Sequence, residues 1–201
     1  TGILEEGIGA EGNDVNETGD PITPQHRAID GINPMAPEFH EALEGGVTSA
    51  MIAPGSLNVI GGQAAIIKTA GRCIDKMIVK APAAMKIAFG ENPKKYYGGK
   101  GKSPATRMGI AGLLRETLFE AQNYYNQKKE KKVTKPDFKM EALLPVFTGE
   151  IPLKAHAHRA DDIFTAIRVA KEFNLKLTID HCTEGHLIAE ELAEAGYPIF
   201  L

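Results

Sequence analysis

Tryptophan is absent from the 201 residues, aromatic side chains make up only 6% of them, and there are two cysteines. The shortage of aromatics leaves the core to Ile, Leu, Val, Ala and Met. Cys73 and Cys182 lie far apart and fit no metal-ribbon or C-x-x-C spacing, so they read as two reduced thiols of a reducing compartment. No apolar run approaches the ~20 residues of a transmembrane helix. The acidic start TGILEEGIGAEG also lacks the basic residues that open a signal peptide. The expected location is therefore the cytoplasm, without a membrane partner. A basic excess is missing too: the net charge is -3 and the pI about 6.1, with no basic stripe interleaved with aromatics. Nucleic acid is thereby excluded as the main ligand. No GxGxxG or P-loop fingerprint follows any apolar run.

What is present falls into two halves. Residues 1–38 are rich in Gly, Pro, Asn and Asp and read as a long ordered loop, a feature that is usually functional inside a compact domain. The sequence then predicts a short helix over EFHEALEGG, closed at Gly45 and Gly46, and a buried strand over VTSAMIAP, closed by Pro54 and Gly55. AAIIKTAG and AMKIAFG are apolar runs that stop at glycine, and IDKMIVKAP between them fits either a strand or a short helix. Residues 93–106 read as loop, Arg107 to Gln127 as a helix with Ile110, Leu113, Leu114, Thr117, Leu118, Ala121 and Tyr125 on one broad face, and KKEKKVTK as a solvated link. MEALLPVF reads as a helix cut by Pro145. From residue 151 the pattern is strand (IPLKAHA), helix (DDIFTAIRVAKEFN), strand (LKLTIDH), helix (EGHLIAEELAEAG) and the opening of a strand (YPIFL). Short links between such elements mark parallel βα units, either an open doubly wound sheet or a (β/α)8 barrel. The missing nucleotide fingerprints favour the barrel.

Four of the six histidines, His156, His158, His181 and His186, fall within residues 156–186, and His156 and His181 each end a predicted strand. The carboxyl rim of parallel strands is where loops converge on one cavity. Alternation puts Lys154, His156 and His158 on one face of their strand and Leu175, Leu177, Ile179 and His181 on one face of the next. Neutral imidazole is the commonest metal ligand, and two ring nitrogens on rigid neighbouring strands suit an ion at about 2.1 Å. Spacing alone leaves a second reading open, a pair of core histidines bonded to carbonyls or carboxylates. His158 is read as facing substrate and His186 as a partly exposed helical residue. Lys86 sits inside an apolar strand, where burial lowers an amine's pKa; the alternative is a lysine paired with Glu91 or Glu17.

GVTSAMIAPGSLNVIGGQAAIIKT, AMKIAFGENPK, KAHAHR and TIDHCTEGH together resemble the metal-dependent amidohydrolase superfamily, in its imidazolonepropionase-related and prolidase-like branch. The resemblance implies a (β/α)8 barrel whose one or two divalent ions are held by an HxH pair on the first strand, a carboxylated lysine or a glutamate, one histidine each on the fifth and sixth strands, and an aspartate on the eighth. Carried over, His156 and His181 match the two single histidines and Lys86 the lysine, with Glu91 as the alternative bridge. His158, Arg27 and Glu17, with Asn16, are the expected substrate contacts. The HxH pair and the aspartate find no match, so residues 1–201 are expected to form an incomplete barrel domain, about strands two to seven of a longer polypeptide. Zinc is the metal expected from imidazole and oxygen donors. The activity implied is hydrolysis of an amide or cyclic amide C–N bond in a small-molecule substrate by metal-activated water. Deamination of a heterocycle and a non-catalytic barrel domain are the rivals, and homo-oligomer assembly is left open.

Overall fold

The computed structural model describes residues 9–201, so the first eight positions of the predicted long loop lie outside the described residues. From Gly9 to Ala36 the chain has two short 3-10 turns, Gly9–Gly12 and Ala28–Gly31, and isolated parallel bridges from Ile22 to Ile60 and from Arg27 to Gln63. Helix α1 (Pro37–Glu44) follows, with proline in its first turn where no intrahelical N–H is needed.

The fold is α/β, built on a curled six-stranded half-barrel sheet in chain order: β1 (Ser49–Ile52), β2 (Ile60–Lys68), β3 (Ile78–Ala88), β4 (Leu153–Ala157), β5 (Leu177–His181) and β6 (Ile199–Phe200). The last four strands run parallel, as the βα pattern predicts. The first three do not. β1–β2 and β2–β3 are antiparallel, so a meander precedes the βα units. VTSAMIAP was expected to be a buried strand. Instead β1 alternates between exposed and half-buried positions, because only β2 pairs with it in this sheet. IDKMIVKAP combines both of its readings, a single turn of helix α2 (Ile74–Met77) leading directly into β3.

Residues 91–98, of which 93–98 were expected to be loop, form helix α3 (Glu91–Gly98). Pro93 is its third residue, where an N–H would have no partner within the helix, so the proline is tolerated. Helix α4 (Arg107–Lys129) starts at Thr106, whose hydroxyl accepts the Gly109 N–H at 2.9 Å, and it buries Ile110, Leu114, Leu118 and Ala121 as its apolar stripe requires. Helix α5 (Phe138–Phe147) is capped by Asp137 and is not cut by Pro145, which lies in the last turn. Helices α6 (Ala160–Glu172) and α7 (Ala189–Ala195) complete the βα units, α7 ending at Gly196 in the left-handed conformation. The main core lies between the outer face of the sheet and α4, α5 and α6: Ile87, Leu153, Ala155, Leu177 and Ile179 meet Leu114, Leu118, Leu143, Ile163 and Ile167.

The other face of the sheet is polar. Register sets Lys86 beside Lys154 and Thr178, and Ala88 beside His156 and Asp180, one step nearer the carboxyl rim. At this rim Gly62, at φ 128, lets the backbone carbonyl of His26 approach so closely that a Cβ would sit 2.5 Å from its oxygen. The N-terminal segment is thereby tied to β2, the His26 carbonyl accepting the Gln63 N–H at 2.7 Å.

Candidate metal centre

Strand β4 delivers His156 at the rim of its inner face, and His158 follows just beyond the strand. Their rings meet edge to face with centroids 4.6 Å apart. His181 arrives by another route than the alternation expected. Leu177 and Ile179 face the helix layer, so a regular strand would send His181 there too; Thr178 and Asp180 hold the inner face instead. The chain turns at His181 (φ 70) and Cys182 (φ 47), both left-handed, and this brings the His181 ring 4.7 Å from His156 and stacked at 4.8 Å on His158. Histidine is among the few side chains that enter this region readily.

One ring nitrogen from each of His156, His158 and His181 lies within 4.8 Å of the others. Donors about 2.1 Å from a tetrahedral ion sit roughly 3.4 Å apart, so ångström-scale side-chain rotations would close the set. Two further observations fit a metal. The buried Nδ1 of His156 has no hydrogen-bond partner, a lone ring atom in a dry place. Burial first, then the charge of Lys86 and the neighbouring rings, push the His156 pKa down to about 3, against a weaker opposite pull from Asp180. Burial likewise lowers that of His181. His156 is therefore neutral at ordinary pH, the form that ligates.

Lys86 is buried, 4% exposed, on the same inner face. Its partner is neither Glu91 nor Glu17, the two carboxylates suggested by the sequence, but Asp180: Nζ donates to Oδ2 at 3.1 Å, and Lys154 holds Oδ1 of the same carboxylate. Burial lowers the Lys86 pKa, while Asp180 opposes the shift. Asp180 was missed in the sequence, although the apolar character of Leu177 and Ile179 already assigns the helix-covered face to them and the inner face to Thr178 and Asp180. Two other polar contacts have no signature in the sequence: Asn92, whose amide lies 3.0 Å from His156 Nε2, and Thr183, whose hydroxyl lies 2.7 Å from His158 Nδ1.

The remaining sequence candidates line a cleft of about 490 Å³ between the N-terminal segment and β1–β2. There Arg27 forms a bidentate pair with Asp30 (2.9 and 2.8 Å), Glu17 accepts the N–H groups of Thr18 and Gly19, and Asn16 Oδ1 accepts the Leu57 N–H. Gly61 joins the two regions: it lines the cleft, and a Cβ there would lie 3.6 Å from Lys86 Cγ. His186 is exposed, with Nδ1 3.1 Å from the Thr183 carbonyl. A wider cavity of about 760 Å³ opens beside His181, walled by Cys182, Leu192, Tyr197 and Pro198.

No family model matches the chain. Amidohydrolase tasK of Hapsidospora irregularis is 31% identical over 210 residues, covering 92% of this chain and 21% of that protein. The crystal structure of an amidohydrolase from Thermotoga maritima MSB8 matches with a TM-score of 0.94 and 48% identity, over 97% of this chain and 52% of that one. The chain thus spans about half the length of the solved relative and about a fifth of the curated one. Both relatives are named amidohydrolases. The likeness to both extends over more than nine-tenths of this chain. No helix among the described residues is long and apolar enough to cross a membrane.

Proposed function

We propose that residues 1–201 form part of a (β/α)8-barrel domain of the imidazolonepropionase-related and prolidase-like branch, with β3 to β6 as the fourth to seventh barrel strands. In this reading the enzyme hydrolyses an amide or cyclic amide C–N bond in a small-molecule substrate. The observation that carries it is the convergence of three imidazoles at the carboxyl rim of parallel strands, one of them with an orphaned, buried nitrogen. A divalent ion held there, zinc by the character of the donors, would supply a bound water of lowered pKa and polarise a carbonyl.

The chain's own residues have these roles. His156 and His181 present neutral lone pairs on two adjacent strand ends. Lys86 would join them once its amine is neutral: the nitrogen lone pair bonds to the carbon of carbon dioxide as one C=O π pair moves onto oxygen, a proton leaves nitrogen for water, and the resulting carbamate would offer two oxygens to the ion. The burial that lowers the Lys86 pKa favours that neutral amine. His158, held by Thr183 and stacked on His181, faces the substrate. Arg27 and Glu17 line the adjoining cleft and contact the more distant part of the substrate.

Metal analysis of the full-length protein, followed by assay against N-acyl amino acids, dipeptides, cyclic ureides and imidazolones, tests this reading. One or two bound ions, hydrolysis of one of these classes, and loss of both in His156→Ala and His181→Ala are expected. A metal-free protein that still hydrolyses, or one that binds no metal and turns over none of the panel, refutes it.

A further inference from the structure

A histidine ligates through one nitrogen only when the other carries the ring's single proton, so whatever accepts that proton selects the ligating atom. In His156 one nitrogen is committed. Nε2 lies 3.0 Å from the Asn92 amide, while Nδ1 is buried without a partner. Two arrangements fit the contact, because an Asn side chain turned over exchanges its nitrogen and oxygen within the same outline. If the amide N–H donates to Nε2, the ring proton must sit on Nδ1, leaving a buried N–H unsatisfied, which is costly. If the amide oxygen faces the ring, Nε2–H donates to it and Nδ1 keeps a free lone pair.

The backbone holds Asn92 firmly in this position. Ala88 of β3 is registered beside His156, and the Phe89 N–H bonds the His156 carbonyl at 2.9 Å. The chain then turns at Gly90 (φ +84) into α3, whose second residue is Asn92. The far end of α3 is anchored by buried Tyr97, whose hydroxyl donates to Asn58 Oδ1 at 2.6 Å.

We propose that Asn92 is a positioning residue for His156: its amide oxygen accepts the Nε2 proton and thereby directs the Nδ1 lone pair at the histidine cluster. The proposal rests on the metal-centre reading above only for the affinity part of its test. In metal-free full-length protein, side-chain ¹⁵N NMR, with the His156 resonances assigned from their loss in His156→Gln, should show the Nε2–H tautomer. Asn92→Leu should abolish that preference and weaken Zn²⁺ binding, measured with the metal alone, by roughly 10–100-fold. Asn92→Asp, which accepts but does not donate, should keep the tautomer and bind Zn²⁺ at least as tightly as the native protein.

An Nδ1–H tautomer in the native protein overturns the proposal. So does an Asn92→Asp variant that behaves like Asn92→Leu, or an Asn92→Leu variant with unchanged tautomer or unchanged affinity. Should Asn92→Leu fail to fold, the native tautomer and the Asp variant decide. If the native protein binds no Zn²⁺, the metal-centre reading falls, and the tautomer measurement still judges Asn92.

Discussion

Replacing Arg107 by Met should destabilise the protein by an amount that depends on pH in a direction fixed by its partner. Asp162 in the first turn of α6 is 2% exposed, and Arg107 at the start of α4 grips it with both arms, Nε to Oδ1 at 2.9 Å and Nη2 to Oδ2 at 3.2 Å. Burial holds the Asp162 carboxyl above its ordinary range even with the guanidinium beside it. Removing the arginine leaves a buried carboxylate unpaired, a loss of ~3–5 kcal/mol in comparable pairs. The carboxylate can escape by taking a proton, which from an unfolded pKa of ~3.9 costs about 4.2 kcal/mol at pH 7, so the penalty is capped near that value.

The sign follows from this. Between the unfolded pKa and the raised folded one, the folded variant binds the extra proton, so its stability falls as pH rises and recovers as pH drops. Relative to the native protein, Arg107→Met should lose ~3–4 kcal/mol at pH 7, and the deficit should shrink by up to ~1.4 kcal/mol per pH unit on acidification towards pH 4.5. Urea unfolding followed by far-UV circular dichroism at several pH values measures it, since the chain has no tryptophan. Arg107→Met with Asp162→Leu should restore most of the stability at pH 7, because no charge is left stranded. A deficit below ~1 kcal/mol, or one that stays constant from pH 7 to 4.5, refutes the reasoning.

Three further outcomes can be checked separately. On the metal-centre reading proposed above, Lys86→Ala should lower the number of bound ions and slow turnover, with partial recovery in short carboxylic acids that stand in for a carbamate; unchanged metal stoichiometry counts against Lys86. Gly90→Ala should cost ~1–3 kcal/mol in urea unfolding, since it combines a positive φ with a Cβ 2.7 Å from the Asp162 carboxylate, whereas Gly101→Ala meets no atom within 4 Å and should cost less. Tyr97→Phe strips the buried Asn58 oxygen of its donor and should lose ~1–3 kcal/mol by the same assay; a neutral result would mean that Asn58 finds another partner.

The elements that declared themselves in the sequence are those whose local pattern and tertiary role agree. Residues 151–200 alternate apolar strands with amphipathic helices across short links, and α4 carries its stripe over many turns. Where the readings failed, information from outside the segment was needed. The antiparallel course of β1 and β2 depends on pairing partners that no single apolar run encodes. Helix α3 was half hidden because Pro93 suggests a break, which it is not at a third helical position. At the candidate site, rim histidines were readable as strand-end residues. The route by which His181 joins them was not, since period-two alternation says nothing about the residue at which a strand stops being a strand. Asp180 and Asn92 were hidden for a related reason: each acquires its partner only through register or a turn between elements.

The left-handed backbone at His181 and Cys182 also limits how this rim could be re-engineered. A β-branched or bulky side chain at position 181 would be strained before any question of chemistry arose, whereas His, Asn, Asp and Gly are the residues that accept such a backbone. The first three of these also offer a donor atom to a cation. On the metal-centre reading proposed above, exchanges of ligand type at 181 are therefore confined to a small alphabet, and a library aimed at new metal preferences would do better to vary His156, which no positive φ constrains.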